Sequence, residues 1–435
     1  MKLELTFAAM ATTLLMNLAQ AQALKPPLSA ADSDPVKMGW MVGSPPPPDE
    51  LVRFADMTHY RFPQTRWSFA NFRQLAPTSN ISRGDGAVAV LPRAERSDID
   101  AMTFVPLGRS EPMTWAQSLE ANYTDAILVL HKGRIVYERY FGVMKPSQPH
   151  MAMSVTKSYF GTLGAMLVAE GKLDANARVS QYIPELKDTA YDDATVRQVL
   201  DMTIGVKYSE NYADPNAEIW QHVRAGGVFP RPAGYAGPTT FYDFLQTLKK
   251  EGEHGQAFAY KTVNSDVLGW LIRRASGKSV GEVLSERIWQ KLGAENDAYM
   301  LIDSVGTEFA GGGFNATLRD MARFGEMMRL DGRFNGKQIV PKAVIDDIRK
   351  GGSKADFEKA GFSTLPGWSY RDMWWISHDE DGAFAARGIH GQAIYIDPKA
   401  EMVIVRFASF PVAANANLDP TTLPAFQALA ERLMH

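Results

Sequence analysis

The stretch DAILVLHKGRIVYERYF, Asp125–Phe141, carries the clearest architectural signal in the chain. Two runs rich in apolar and β-branched residues flank Lys132-Gly133, which reads as a strand, a tight turn and a second strand. A second such pair lies near the far end, in GIHGQAIYIDP and EMVIVRFASF, with a turn at Asp397-Pro398. The closing LPAFQALAERLMH reads as a helix. Between these strand pairs, residues from about 175 to 300 carry helical patterns and loops, including a Gly/Pro-rich stretch from Gly226 to Pro238. Early strands, a helical insertion, late strands and a closing helix predict a sheet domain split by a helical one.

Composition bounds what such a fold can do. The 435 residues are 45% hydrophobic and 22% charged, which is globular and long enough for a large core. A net charge of -3, from 46 basic and 49 acidic side chains, gives no electrostatic case for nucleic acid. With no cysteine, a disulfide framework, a thiolate nucleophile and a cysteine-ligated metal are excluded. At the N-terminus, Lys2 precedes an apolar stretch from Leu5 to Leu18 and small residues at Ala19, Ala21 and Ala23. That is the pattern of a secretory signal over residues 1–23, cleaved near Ala21 to Ala23, and it predicts a periplasmic or secreted protein. No other stretch approaches the length of a membrane span. VGSPPPPDE (Val42–Glu50) reads as a stiff linker within a Pro-rich extension over residues 24–64. The main domain then occupies residues 65–435, its first part irregular up to about Met113.

One motif carries chemistry. MSVTKS holds the only S-x-x-K of the chain, Ser154 to Lys157, at the head of a helix-periodic run that stops at Gly171. Residues three apart share a helix face, so the hydroxyl and the amine would sit side by side. A serine is a poor nucleophile until a base takes its proton, and a lysine is that base once burial lowers its pKa. A helix N-terminus adds a field that favours an alkoxide. The same four residues also fit a plain N-cap with a solvated first-turn lysine, so spacing alone leaves two readings open.

Other segments accompany it. Tyr260 stands in FAYKTVNSDVLGWLI before another helix-periodic run, and RGIHGQAIYIDP offers a strand with Gly388 and Gly391. With TRWSFANF, YTDAILVL, VAEGKLDANARVSQYIPEL, VLDMTIGVKYSENYADP, GGGFNATLRDMARFGEMM and RDMWWISH, in this order, the chain resembles the serine β-lactamase/DD-peptidase superfamily. Within it, the chain resembles the class C β-lactamase-like esterases, and among these the 6-aminohexanoate-dimer hydrolases. The resemblance covers roughly Thr65 to the C-terminus. It implies an α+β fold: an antiparallel sheet flanked by helices beside a mostly helical domain, with the site between them.

The resemblance implies Ser154 as the acyl-forming nucleophile, with Lys157 and Tyr260 as its proton-transfer partners. Thr262 stands where the family's Tyr-x-Asn element has its asparagine. The Lys-Thr-Gly strand corresponds to Ala386-Arg387-Gly388, making the amides of Ser154 and Ile389 the oxyanion donors; His390-Gly391 offers a rival register. Tyr212 matches a tyrosine on the loop that closes over substrate. Two departures stand out. Val223 occupies the place of an acidic residue suited to a substrate's ammonium end, and Gly311 that of an asparagine. The substrate-binding set implied is thus Tyr212, Val223, Gly311, Trp374 and His390, with Trp375 an equal alternative to Trp374 and His390 also readable as structural. No metal or other cofactor is expected. SHDEDG (Ser377–Gly382) reads as a solvated turn, and there is no H-E-x-x-H, P-loop or G-x-S-x-G. The expected function is hydrolysis of small esters or amides. The alternatives are a β-lactamase or D-alanyl-D-alanine carboxypeptidase, and a non-catalytic ligand-binding relative.

Overall fold

Lys132 and Gly133 both adopt left-handed backbone, with φ 50° and 73°. Two such residues in succession suit a tight hairpin, here joining β1 (Thr124–His131) to β2 (Arg134–Tyr140). The computed structural model describes residues 26–435. The leader expected over residues 1–23, with its cleavage region, lies outside the described residues.

The free edge of β1 takes up the last strand of the chain. Seven strands form one antiparallel sheet: β3 (Ser369–Arg371), β4 (Trp374–Ile376), β5 (Phe384–Gly388), β6 (Gln392–Asp397), β7 (Met402–Ala408), then β1 and β2. The early hairpin and the late strands thus meet at the β7–β1 pair, with Val405 opposite Leu128. Both strands are buried almost throughout, so the sheet is covered on both faces. The helix α1 (Val155–Ala169) is buried from Val155 to Leu167 and packs against β5 on one side and α3 (Val263–Ser276) on the other. Helix α4 (Leu318–Arg329) covers β1, β6 and β7. Residues from about 175 to 300 supply mainly helices, including α2 (Glu218–Ala225) and α3, and their apolar side chains join the same continuous core as the sheet.

Two expectations need revising. Trp40 and Val52 of the Pro-rich extension form a small apolar cluster with Trp67 of the main domain, so the extension is packed and not merely a linker. RGIHGQAIYIDP is not one strand. β5 ends at Gly388, the chain reverses over Ile389–Gly391, and β6 starts at Gln392. His390 (φ 62°) and Gly391 (φ 101°) make that reversal, a conformation no strand residue adopts. Among the described residues, no helix is long and apolar enough to cross a membrane.

Candidate active site

A small four-stranded sheet includes His150–Met151 and delivers the chain to the head of α1. Met153 then takes positive φ (49°), turning the backbone so that Ser154 caps α1. Its side chain does not accept a capping bond from the first turn, which leaves the hydroxyl free for another role. One turn along, Lys157 Nζ donates to Ser154 Oγ at 2.8 Å and to the Gly311 carbonyl at 2.5 Å. Lys157 is 1% exposed. Burial pushes its ammonium down to about 8, against the opposing charges of Glu210 and Asp266. A usable fraction is therefore the neutral amine near neutral pH. The plain N-cap with a solvated lysine does not describe this pair.

Tyr260 lies beside it, with Lys157 Nζ 5.2 Å from the ring centroid. Burial and the Glu210 charge push the phenol above its usual range, while its approach to Ser154 pulls the other way. Tyr260 is thus a neutral phenol that can pass a proton, and the amine of Lys157 is the group able to accept one. Opposite the serine, β5 presses against the Ala152–Ser154 turn: a Cβ on Gly388 would lie 2.8 Å from the Ala152 carbonyl oxygen. Only glycine allows that approach, and the next residue, Ile389, lines both cavities together with Ser154. Neither the Ser154 nor the Ile389 amide is engaged by a backbone carbonyl in the turns and loops of the described residues. This geometry favours the Gly388-Ile389 register over the His390-Gly391 one.

Ser154, Tyr212 and Ile389 are shared by the walls of two cavities. The larger, about 320 Å³, is lined by Glu210, Tyr260, Trp375, Arg387 and Asp419 and by loop residues around Phe362 and Asn415. The smaller and narrower one is lined by Tyr60, Trp220, Val223, Phe229, Phe309 and Gly311, and has no charged side chain in its wall. Ser154 therefore opens on a roomy cavity and on a narrow one of about 40 Å³.

Each expected substrate contact has a definite location. Tyr212 stands between the cavities, and Val223, on α2, faces the narrow one. Gly311 also lines the narrow cavity, but its part is played by backbone: its carbonyl receives Lys157 and its amide donates to Asp266 at 3.1 Å. An asparagine there is excluded by packing, because a Cβ would overlap Thr262 Cγ2 and come within 2.8 Å of Phe309. The threonine at 262 and the glycine at 311 are one coupled departure. Trp374 is a correction. It is wholly buried and donates to Thr162 at 3.0 Å, while Trp375, pointing to the other face of β4 as strand alternation requires, lines the larger cavity. His390 is a second correction. It lies outside both cavity walls, packs against Phe69 and Tyr60, and its Nδ1 sits 2.7 Å from the Phe410 carbonyl. Burial lowers its pKa to about 4, which makes it a neutral structural residue.

Sequence reasoning missed two residues. Glu210 is buried in the larger cavity's wall, accepts a hydrogen bond from the Thr262 amide, and has its carboxyl pushed up by burial against the pull of Lys157. Its only sequence signal was lying two residues before Tyr212. Arg387 was read only as part of a motif register, although its charge falls on the strand that leads into Ile389 and lines the larger cavity.

A family model described as Beta-lactamase matches residues 116–423. The chain belongs to the beta-lactamase family. Within this family it is 38% identical over 350 residues to a 6-aminohexanoate-dimer hydrolase from Paenarthrobacter ureafaciens, covering 80% of this chain and 86% of that one. The solved structure of a candidate 6-aminohexanoate-dimer hydrolase from Bacillus anthracis superposes with a TM-score of 0.80 at 34% identity, over 88% of this chain and 97% of that one. A family VIII carboxylesterase shares the fold, with a TM-score of 0.53 at 17% identity over 72% of this chain and 96% of the other. The beta-lactamase-family assignment and the relatives make the chain a serine hydrolase, and the antiparallel sheet with flanking helices is that family's fold.

Proposed function

We propose that the protein hydrolyses small amides or esters through an acyl-enzyme on Ser154, in the manner of a 6-aminohexanoate-dimer hydrolase or a carboxylesterase. Neutral Lys157 takes the Ser154 proton as Oγ bonds to the substrate carbonyl carbon. The carbonyl oxygen becomes an oxyanion facing the Ser154 and Ile389 amides, a type of contact worth about 3 kcal/mol per donor. Tyr260 hands a proton to the departing nitrogen or oxygen as the scissile bond breaks, and Lys157 restores it. Water then repeats the sequence on the acyl-enzyme, releasing the acid and regenerating Ser154.

The observation that carries this reading is the Lys157–Ser154 hydrogen bond, buried, and opening on two cavities. The test is covalent. A fluorophosphonate is expected to add one adduct mass, mapped to the peptide containing Ser154, and to be blocked in Ser154→Ala. An unlabelled or differently labelled protein would sink the proposal.

The acyl half belongs in the narrow cavity, where the family's resemblance puts an acid suited to a substrate's ammonium end and this chain has Val223. An ammonium there finds no charged partner and loses hydration. The expected result is that p-nitrophenyl hexanoate is cleaved with kcat/KM at least about 10-fold above p-nitrophenyl 6-aminohexanoate, a difference of roughly 1.4 kcal/mol. Val223→Asp is expected to narrow that gap. Equal rates on both esters in the wild type would show that the narrow cavity does not hold the acyl chain.

A further inference from the structure

Glu210 in the larger cavity's wall is matched by Lys157, but the Arg387–Asp419 end, with Arg406 behind it and outside the lining, does not balance. Arg387 forms an ion pair with Asp419, whose second carboxylate oxygen accepts from Thr364 Oγ1 at 2.6 Å. Arg406 lies close by, held by neutral acceptors: Nε donates to the Gly391 carbonyl at 2.9 Å and Nη1 to Thr422 at 2.8 Å. Burial pushes the Arg406 guanidinium below its usual range; Asp419 opposes the shift and Arg387 adds to it. Two guanidinium groups thus share one carboxylate. Arg387 side-chain exposure is 10% and that of Asp419 is 4%, so solvent screens little of the surplus. A buried charge without a counter-charge is costly unless something supplies it.

Arg387 is also presented for use. It lines the larger cavity, its guanidinium carbon sits 5.4 Å from the Trp375 ring centre and 5.9 Å from that of Trp368, and Asp419 grips it through Nη2. Nη1 is buried and has no hydrogen-bond partner among the described residues. Held by two indoles and one carboxylate, the fork has little rotamer freedom left to lose on meeting a ligand. Arg387 lies near the end of β5 and Ile389 just beyond it, and both line the larger cavity. An anion on the guanidinium would belong to a molecule whose carbonyl rests on the oxyanion amides.

We propose that Arg387 is the anchor for a substrate carboxylate in the larger cavity. The leaving-group half then ends in that carboxylate, and the substrate class is an apolar acyl group joined to an amino- or hydroxy-carboxylic acid. This deepens the hydrolase reading above and rests on it. A carboxylate there completes the charge balance of Arg387, Arg406 and Asp419, and the indole of Trp375 covers the spacer between it and the scissile bond. Arg387 is a specificity residue, and takes no part in proton transfer at Ser154.

The test compares two amides that differ only in charge: N-hexanoyl-6-aminohexanoate and its methyl ester, followed by release of the amine. The wild type is expected to favour the carboxylate form at least about 10-fold in kcat/KM, chiefly through KM, and Arg387→Met to bring the ratio near one. Arg387→Lys, which keeps the charge without the fork, is expected to fall between them. A wild-type ratio near one, or a ratio that survives in Arg387→Met, overturns the proposal. Should the methionine variant not fold, inhibition of wild-type p-nitrophenyl hexanoate turnover decides: 6-acetamidohexanoate is expected to compete and 6-acetamidohexanamide not to, and equal inhibition overturns it. A further pair, p-nitrophenyl hydrogen glutarate against p-nitrophenyl butyrate, puts the carboxylate on the acyl half. A preference for the anionic ester there that Arg387→Met removes would overturn the leaving-group placement. Failure of the fluorophosphonate to label Ser154 removes the hydrolase reading itself, whereas labelling with a charge-blind ratio removes only this inference.

Discussion

Lys157→Met is expected to lower kcat/KM on p-nitrophenyl hexanoate by about 1,000-fold or more while leaving the fold at least as stable at pH 7. The rate loss follows from geometry. Among the described residues, Nζ is the only basic atom bonded to Ser154 Oγ, and Tyr260, its phenol shifted upward, is no substitute base. In the wild type, kcat/KM is expected to climb with pH to a plateau above about 8, as Lys157 loses its proton; the variant's residual activity lacks that limb. Stability moves separately. The folded-state pKa lies below the ordinary lysine value of 10.5, so the unfolded chain holds the proton more tightly. Between pH 8 and 10.5 the unfolded state therefore binds more protons than the folded one, and wild-type stability rises through that window. Below pH 8 both states are protonated and the full penalty of the buried ammonium, about 3 kcal/mol, is present. Methionine removes that penalty and leaves the Gly311 carbonyl without its donor, a loss of about 1–3 kcal/mol. Urea titrations of both proteins at pH 7 and pH 10.5 check this. The wild type should gain on the variant at the higher pH, and parallel curves would show that Lys157 is not strained by burial.

Gly161→Ala is expected to destabilise the protein by about 3 kcal/mol or more. The residue lies mid-way along α1, where the turn between β3 and β4 crosses the helix. An added methyl would overlap the Asp372 carbonyl oxygen and approach Met373 Cβ to 2.6 Å. Neither side can yield cheaply. Asp372 and Met373 already hold positive φ, 48° and 64°. Asp372 is wholly buried and bonded to Arg197 at 2.5 Å, and the Met373 carbonyl accepts from Ser158 at 2.7 Å. Helix α1 would have to shift instead, and it carries Ser154 and Lys157. A clear fall in the urea midpoint, with lost esterase activity in whatever folds, is the expected outcome. An unchanged midpoint would mean the turn is far softer than its anchors imply.

What the sequence disclosed depended on how local the cause was. Ser154 and Lys157 were legible because a helix converts a three-residue spacing into contact. The strand pairs were legible because β-branched runs around Lys132-Gly133 and Asp397-Pro398 describe hairpins locally. The Ile389–Gly391 reversal escaped because His390 takes positive φ for tertiary reasons: its ring is locked between Phe69, Tyr60 and the Phe410 carbonyl. Trp374 and Trp375 could not be told apart until the register of β4 showed which one faces the cavity. Glu210 stayed hidden because it is a single acid in a loop, and its significance comes from Lys157 and Thr262, each about 50 residues distant in sequence. Arg387 matters through Arg406 and Asp419, which only the closing of β7 and α5 (Asp419–Met434) brings to it.

The pairing of β1 with β7 has a consequence in time. Residue 128 waits for residue 405 before its strand has both neighbours, so the middle of the sheet is the last part a ribosome makes possible. At about 5–20 residues per second, the first hairpin stands with an open edge for roughly 15 to 55 seconds while the intervening chain is synthesised. Through almost all of that interval β5 and the turn at Ile389 are not yet made, and the nascent chain carries Ser154 and Lys157 without the wall that stands opposite them. Chemistry begins only once synthesis is nearly complete.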